Sequence, residues 1–152
     1  MKIHNSLDLV WPPFAELVSE LIDEMHHENY KVIILESYRS PVRQNQLFAK
    51  GRVRPGKIIT NARGWQSWHQ YGLAVDLIFD SNPCKKGIQG PYSGDFELLG
   101  RIAQDLRMEW GGRWGDKGHV QYRGGVSIDQ ARSIQAREGI LGLWGELDRP
   151  IL

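Results

Sequence analysis

Residues 72–80, Gly-Leu-Ala-Val-Asp-Leu-Ile-Phe-Asp, read as a strand whose two faces differ in kind. Alternation puts Leu73, Val75, Leu77 and Phe79 on one face and Gly72, Ala74, Asp76 and Ile78 on the other. The first set is a core face and has to be covered by another layer. The second is small around Asp76, which leaves room beside its carboxylate. A covering layer is at hand upstream. Pro12-Pro13 suits a first helical turn, and Phe14, Leu17, Val18, Leu21, Ile22 and Met25 then follow the spacing of a core-facing stripe.

The rest of the chain mixes helices and strands. Tyr30 to Leu35 is rich in β-branched residues and reads as a buried strand. Ser40-Pro41 caps and opens a short helix through about Lys50, and Gly51 to Gly64 reads as a loop with four basic residues. A polar loop is expected over Asn82–Gly94, and a second amphipathic helix is set by Phe96, Leu99, Ile102, Ala103 and Leu106. Short strands around Met108–Trp110 and His119–Tyr122 flank a glycine-rich turn. Ser127-Ile128-Asp129-Gln130 fits a capping box, and Gly139 is placed to close that last helix. There is no regular βαβ rhythm, so the expected fold class is α+β: a small antiparallel sheet with flanking helices in one compact domain. Length agrees, since 152 residues suit a single domain.

Charge and cysteine usage narrow the function classes. Nineteen Lys and Arg against 18 Asp and Glu leave a net charge of +1, which supplies no general field for nucleic acid or an anionic membrane. Apolar runs such as Val32-Ile33-Ile34-Leu35 are too short to span a bilayer, so no stable membrane insertion is expected. The single cysteine, Cys84, excludes an internal disulfide and a cysteine-based zinc ribbon, and reads as a bystander. Met1-Lys2-Ile3-His4-Asn5-Ser6 carries no apolar signal core, so synthesis and folding in the cytoplasm are expected.

His69 stands just before the Asp76 strand, where a turn brings its imidazole round to the same place. His119 begins a later strand in which Gln121 shares its face. Two imidazoles and one carboxylate are the complement of a catalytic zinc, which takes three protein ligands and leaves a position for water. Such an ion lowers the pKa of its water to about 7 and polarises a carbonyl. A base must then stand within hydrogen-bond reach. Asp116, three residues before His119, is preferred, and Glu109 is the competitor. The plainer alternative makes His69 a loop histidine and Asp76 a turn cap. His4, His26 and His27 have no partner at ligand spacing, and no His-Glu-x-x-His helix is present.

Ser67-x-His69-x-x-Gly72-x-Ala74-x-Asp76, followed by Asp116-x-x-His119, resembles the LAS-type zinc peptidases. That group holds D-alanyl-D-alanine carboxypeptidases and dipeptidases and bacteriophage L-alanyl-D-glutamate endopeptidases. The stretch Ser37-Tyr38-Arg39-Ser40 to Leu47-Phe48, then Thr60-Asn61-Ala62, then Glu109-Trp110-Gly111-Gly112, continues the likeness in order over about residues 9–123. The resemblance implies one Zn²⁺ on His69, Asp76 and His119, with Asp116 as general base where many relatives have glutamate. It implies Arg39 at the oxyanion or a substrate carboxylate, against the alternative of an ion pair with Glu36. It implies Ser67 hydrogen-bonding the substrate, against a local turn cap. Many relatives have proline where Gly118 stands, a departure expected to loosen the turn that holds Asp116 and His119.

The implied activity is a peptidoglycan peptidase cutting the L-alanyl-D-glutamate bond of stem peptides, in the manner of a bacteriophage endolysin. It would be a monomer, held in the host cytoplasm until release onto the wall. The rivals are a D-alanyl-D-alanine carboxypeptidase and, from another class, a non-catalytic zinc-containing wall-binding module. Residues 1–125 are expected to form the catalytic unit and residues 126–152 a helical extension packed on the same domain. Trp65, Trp68, Trp110 and Trp114 bracket the motifs, with core packing and loop anchoring as their default role.

Overall fold

The computed structural model describes residues 2–80 and 90–148. Cys84 and most of the expected 82–94 loop lie outside the described residues. Four helices surround one sheet: α1 (Pro12–His27), α2 (Pro41–Ala49), α3 (Phe96–Asp105) and α4 (Ile128–Leu147). The strands are β1 (Val32–Glu36), β2 (Ala74–Phe79), β3 (Glu109–Trp110) and β4 (His119–Gln121), in spatial order β1-β2-β4-β3 and antiparallel throughout. The fold is α+β, as the mixed pattern implies.

The core lies between the sheet and the helices. Leu73, Val75, Leu77 and Phe79 are completely or almost completely buried, and they meet Phe14, Val18, Leu21 and Met25 of α1. Burying each such side chain is worth about 1.5–3 kcal/mol. Ser40 accepts a hydrogen bond from the Arg43 amide, so its cap starts α2 where the sequence places it.

β1 departs from expectation. It is an edge strand of alternating burial, with Ile33 and Leu35 exposed, and so is not a buried strand. A run of β-branched residues does not distinguish a central from an edge position. Gly139 also does less than expected. Its φ of 76° breaks α4, but helix resumes to Leu147. The second segment reaches the core: Leu143 is fully buried and the Trp144 indole donates to the Tyr71 carbonyl at 2.8 Å.

Candidate metal centre

Sheet register assembles the site. In β1 and β2 Glu36 stands opposite Asp76, after an irregularity between Ile34 and Glu36, and in β2 and β4 Asp76 stands opposite His119. Three polar side chains on three strands therefore form one row, at the close spacing of directly opposed residues. His69 joins from the 3₁₀ turn Trp68–Tyr71, whose left-handed end at Gly72 leads into β2.

The ligand atoms of His69, Asp76 and His119 lie within 4.8 Å of one another. His69 Nε2 is 3.2 Å from Asp76 Oδ2, and His119 Nδ1 is 3.0 Å from Asp76 Oδ1. The remote nitrogen of each ring is anchored. His69 Nδ1 stands 2.6 Å from the Ser37 carbonyl and has to donate to it, which leaves the Nε2 lone pair facing Asp76. For His119 the anchor is Gln121. Its amide nitrogen donates to Glu109 Oε1 at 3.4 Å, so its oxygen, 2.8 Å from His119 Nε2, accepts from that ring and leaves Nδ1 free. Arg123 holds Glu109 at 2.7 Å. Two neutral imidazoles with fixed lone pairs and one carboxylate, all close together, fit a zinc ion.

Burial raises the Asp76 pKa, but the charges and hydrogen bonds that His69 and His119 supply when protonated toward it outweigh burial and hold the carboxyl well below its usual range. For His119 burial disfavours the charged ring, but a proton taken up at Nδ1 donates to Asp76 and reverses that, so its pKa is raised and a proton competes for the nitrogen that would hold a metal. Asp116 is pushed above the ordinary aspartate value by partial desolvation against the cleft and by the Asp76 charge, with His119 opposing. Its Oδ2 lies 3.9 Å from His119 Nδ1, and its side chain is more than half exposed. That suits a carboxylate meant to exchange protons. Glu109, the competitor, pairs with Arg123 and lines a separate cavity with Gln104 and Trp114.

The turn carrying Asp116 is tied down, contrary to the expectation from Gly118. The Asp116 amide donates to the Gly111 carbonyl, the Trp110 indole to the Lys117 carbonyl, and the Leu77 amide to the Gly118 carbonyl, at 2.7–2.8 Å. A Cβ at Gly118 would sit 2.4 Å from the Leu77 carbonyl oxygen, and one at Gly111 would sit 2.4 Å from that of Asp116. Close backbone approach therefore requires glycine at both positions.

Arg39 and Ser67 both line the cleft with the three ligands and Asp116. Arg39 makes the Glu36 pair weighed as its alternative role: Nε and Nη2 donate to Glu36 at 3.0 and 2.7 Å, Nη1 to Gln44, and Nη2 also reaches Asp76 at 3.2 Å. Ser67 makes the local cap, accepting from the His69 amide at 3.4 Å. Of the tryptophans, Trp110 is buried and Trp65 and Trp68 pack on the core, whereas Trp114 is exposed with its ring 6.0 Å from that of His119. Sequence reasoning noted only that Gln121 shares a face with His119. It missed the anchoring role of Gln121 and the Ser37 carbonyl, since the first depends on strand register and the second leaves no mark in a side chain.

Two strands bring Asp76 and His119 together, a 3₁₀ turn adds His69, and Asp116 stands beside them. The comparisons with known proteins likewise show a resemblance to the LAS-type peptidases. Residues 60–122 match the peptidase M15 family model described as D-alanyl-D-alanine carboxypeptidase. CwlK, a peptidoglycan L-alanyl-D-glutamate endopeptidase of Bacillus subtilis (strain 168), is 37% identical over 89 residues, 55% of this chain and 53% of that protein. The chain thus spans about half the length of that curated relative. The fold is shared with the vancomycin-resistance D,D-pentapeptidase VanY. A Zn(II) complex of a VanY variant superposes with a TM-score of 0.56 at 17% identity, covering 90% of this chain and 82% of that one. A D-alanine-D-alanine complex of VanYB gives 0.54 at 18% identity, covering 84% and 76%. The LAS-type resemblance therefore holds over the part of the chain that carries the site.

Proposed function

We propose that this protein is a zinc peptidase of peptidoglycan that cuts the L-alanyl-D-glutamate bond of stem peptides. The observation that carries the reading is the convergence of His69, Asp76 and His119 with anchored rings, and with Asp116 beside them. A bound zinc ion supplies polarisation of the peptide carbonyl and a water of lowered pKa. His69, Asp76 and His119 hold that ion. Asp116 accepts the proton of the attacking water and passes it to the leaving amine, a role its exposed carboxylate and raised pKa suit. Arg39, braced by Glu36 and Gln44, holds the Asp76 carboxylate and presents its charge to the substrate oxygen. Ser67 sets the His69 turn and offers its hydroxyl at the cleft wall.

An endopeptidase needs room on both sides of the scissile bond, whereas a carboxypeptidase needs a pocket closed at one end. Two cavities meet at Asp76 and Asp116. One is polar and includes Arg39, Thr60 and Ser67. The other, of about 360 Å³, is walled by Leu35, Ile78, Tyr92 and Phe96. Space on either side of the site favours the internal cut, as does the identity with an L-alanyl-D-glutamate endopeptidase. The setting we propose is that of a lysin, released from the host cytoplasm onto the wall, and co-expression with a membrane-opening protein tests it by culture lysis.

The bond is tested by incubating zinc-loaded protein with a soluble stem pentapeptide acylated at its N-terminus and identifying the products by mass spectrometry. Release of N-acyl-L-alanine with a peptide beginning at D-glutamate is expected. Release of terminal D-alanine alone would assign the carboxypeptidase instead. A folded, zinc-loaded protein that binds wall but cuts neither bond would assign the wall-binding module.

A further inference from the structure

Between Glu36 and Asp76 the chain has no aspartate or glutamate, yet that stretch holds seven of the 19 Lys and Arg. The remaining 12 face all 18 acidic residues elsewhere, so a nearly neutral protein is strongly polarised. Arg39 and Arg43 are committed to Glu36. The other five, Lys50, Arg52, Arg54, Lys57 and Arg63, lie in an exposed lobe spanning residues 50–63, and none makes an ion pair among the described residues.

The lobe is built to hold its shape. Arg52 donates to the Phe48 and Thr60 carbonyls and to Asn61, and its guanidinium lies 3.7 Å over the Phe48 ring. Arg63 approaches the same ring at 4.8 Å. Buried Gln44 fastens the far end by donating to the Ala62 carbonyl at 2.8 Å while it accepts from Arg39. With Arg52 and Arg63 serving the scaffold, Lys50, Arg54 and Lys57 are left as outward cations. Ile59 and Thr60, in the same lobe, form part of the cleft wall with His69 and Asp116. A ligand on the lobe is therefore continuous with a ligand in the cleft, which favours the substrate polymer over a membrane surface.

We propose that the 50–63 lobe is a docking surface for carboxylate groups of the peptidoglycan polymer, holding stems that adjoin the one in the cleft. The proposal rests on the peptidase reading above. Lys50, Arg54 and Lys57 supply a field that strengthens capture of a multivalent anion and is screened by salt. Each exposed contact is weak alone, and repetition along the polymer makes the sum matter.

The test uses the zinc-loaded protein and a K50Q/R54Q/K57Q variant. Both are measured for co-sedimentation with purified peptidoglycan and for cleavage of a soluble stem peptide. The variant should need about tenfold more peptidoglycan for half-saturation, with unchanged kcat/KM on the soluble peptide. Wild-type binding should fall to the variant's level in ~0.5 M NaCl, and amidation of the wall carboxylates should reproduce the loss. Equal binding by variant and wild type, or binding indifferent to amidation, would overturn the proposal. So would a variant that loses only its binding to phosphatidylglycerol vesicles, which would make the lobe a membrane contact. Wild type that binds peptidoglycan through these three residues but cuts no peptide would support the docking surface and sink the peptidase reading.

Discussion

Asp116 and Gln121 address opposite nitrogens of His119, and substitutions at the two should separate cleanly. Asp116→Ala removes the proton carrier without touching a ligand. We expect kcat to fall about 10²–10⁴-fold with zinc content unchanged, measured by peptide cleavage beside metal analysis. Gln121→Leu removes the acceptor that fixes the His119 tautomer. Zinc affinity should weaken about 10–100-fold in chelator competition while the fold persists, and an unchanged affinity would remove Gln121 from the site. At this scale the sequence was most legible for the groups with rare chemistry. His69, Asp76, His119 and Asp116 stand together as expected, because few side chains ligate metal and their spacing falls on turns and strand starts. Arg39 and Ser67 were legible only as pairs of alternatives. A guanidinium or a hydroxyl serves structure and chemistry with the same atoms, and their hydrogen bonds depend on neighbours such as Gln44 that no local pattern reveals.

Glu36 shows what an element contributes. It ends the edge strand β1, is 5% exposed, and accepts from both Arg39 and Arg43. Burial pushes its carboxyl up, but the two arginines outweigh burial and hold it below its ordinary value of 4.5. A folded-state pKa lowered in this way gives stability that is fully present above about pH 4.5 and is lost as pH falls through the folded value. Glu36→Gln should therefore cost about 3 kcal/mol at neutral pH, since it removes the carboxylate that pairs with the largely buried Arg43 and leaves Arg39 only Asp76 as an anionic partner. It should also remove part of the acid loss seen in wild-type urea midpoints, and midpoints with the same acid slope in both proteins would contradict this. The position of β1 at the sheet edge was not legible, because strand order is set by long-range pairing and not by composition. The same holds for α4. Ser127 and Gln130 make the expected capping box, but the helix resumes beyond Gly139, where Leu143 enters the core and the Trp144 indole bonds to the turn that carries His69.

At the scale of the molecule, one core and one cleft account for most of the chain. The hydrophobic cluster takes in α1, the sheet, α3 and, through Ala131 and Leu143, α4. Leu143→Ala should thus destabilise the whole unit by about 2–5 kcal/mol, seen as a shift of a single unfolding transition. A separate early transition would mean that the last helix folds independently. The cleft joins the row Glu36–Asp76–His119 to a basic lobe on one side and an apolar cavity on the other. In the function proposed above, His69, Asp76 and His119 hold the ion on which peptide cleavage depends. The most direct test is stepwise zinc addition to chelator-stripped protein, with peptidoglycan solubilisation read at each step. Activity should rise from near zero, level off at one equivalent, and fail to return in Asp76→Asn. Full activity in the stripped protein, or full recovery in Asp76→Asn, would contradict the account.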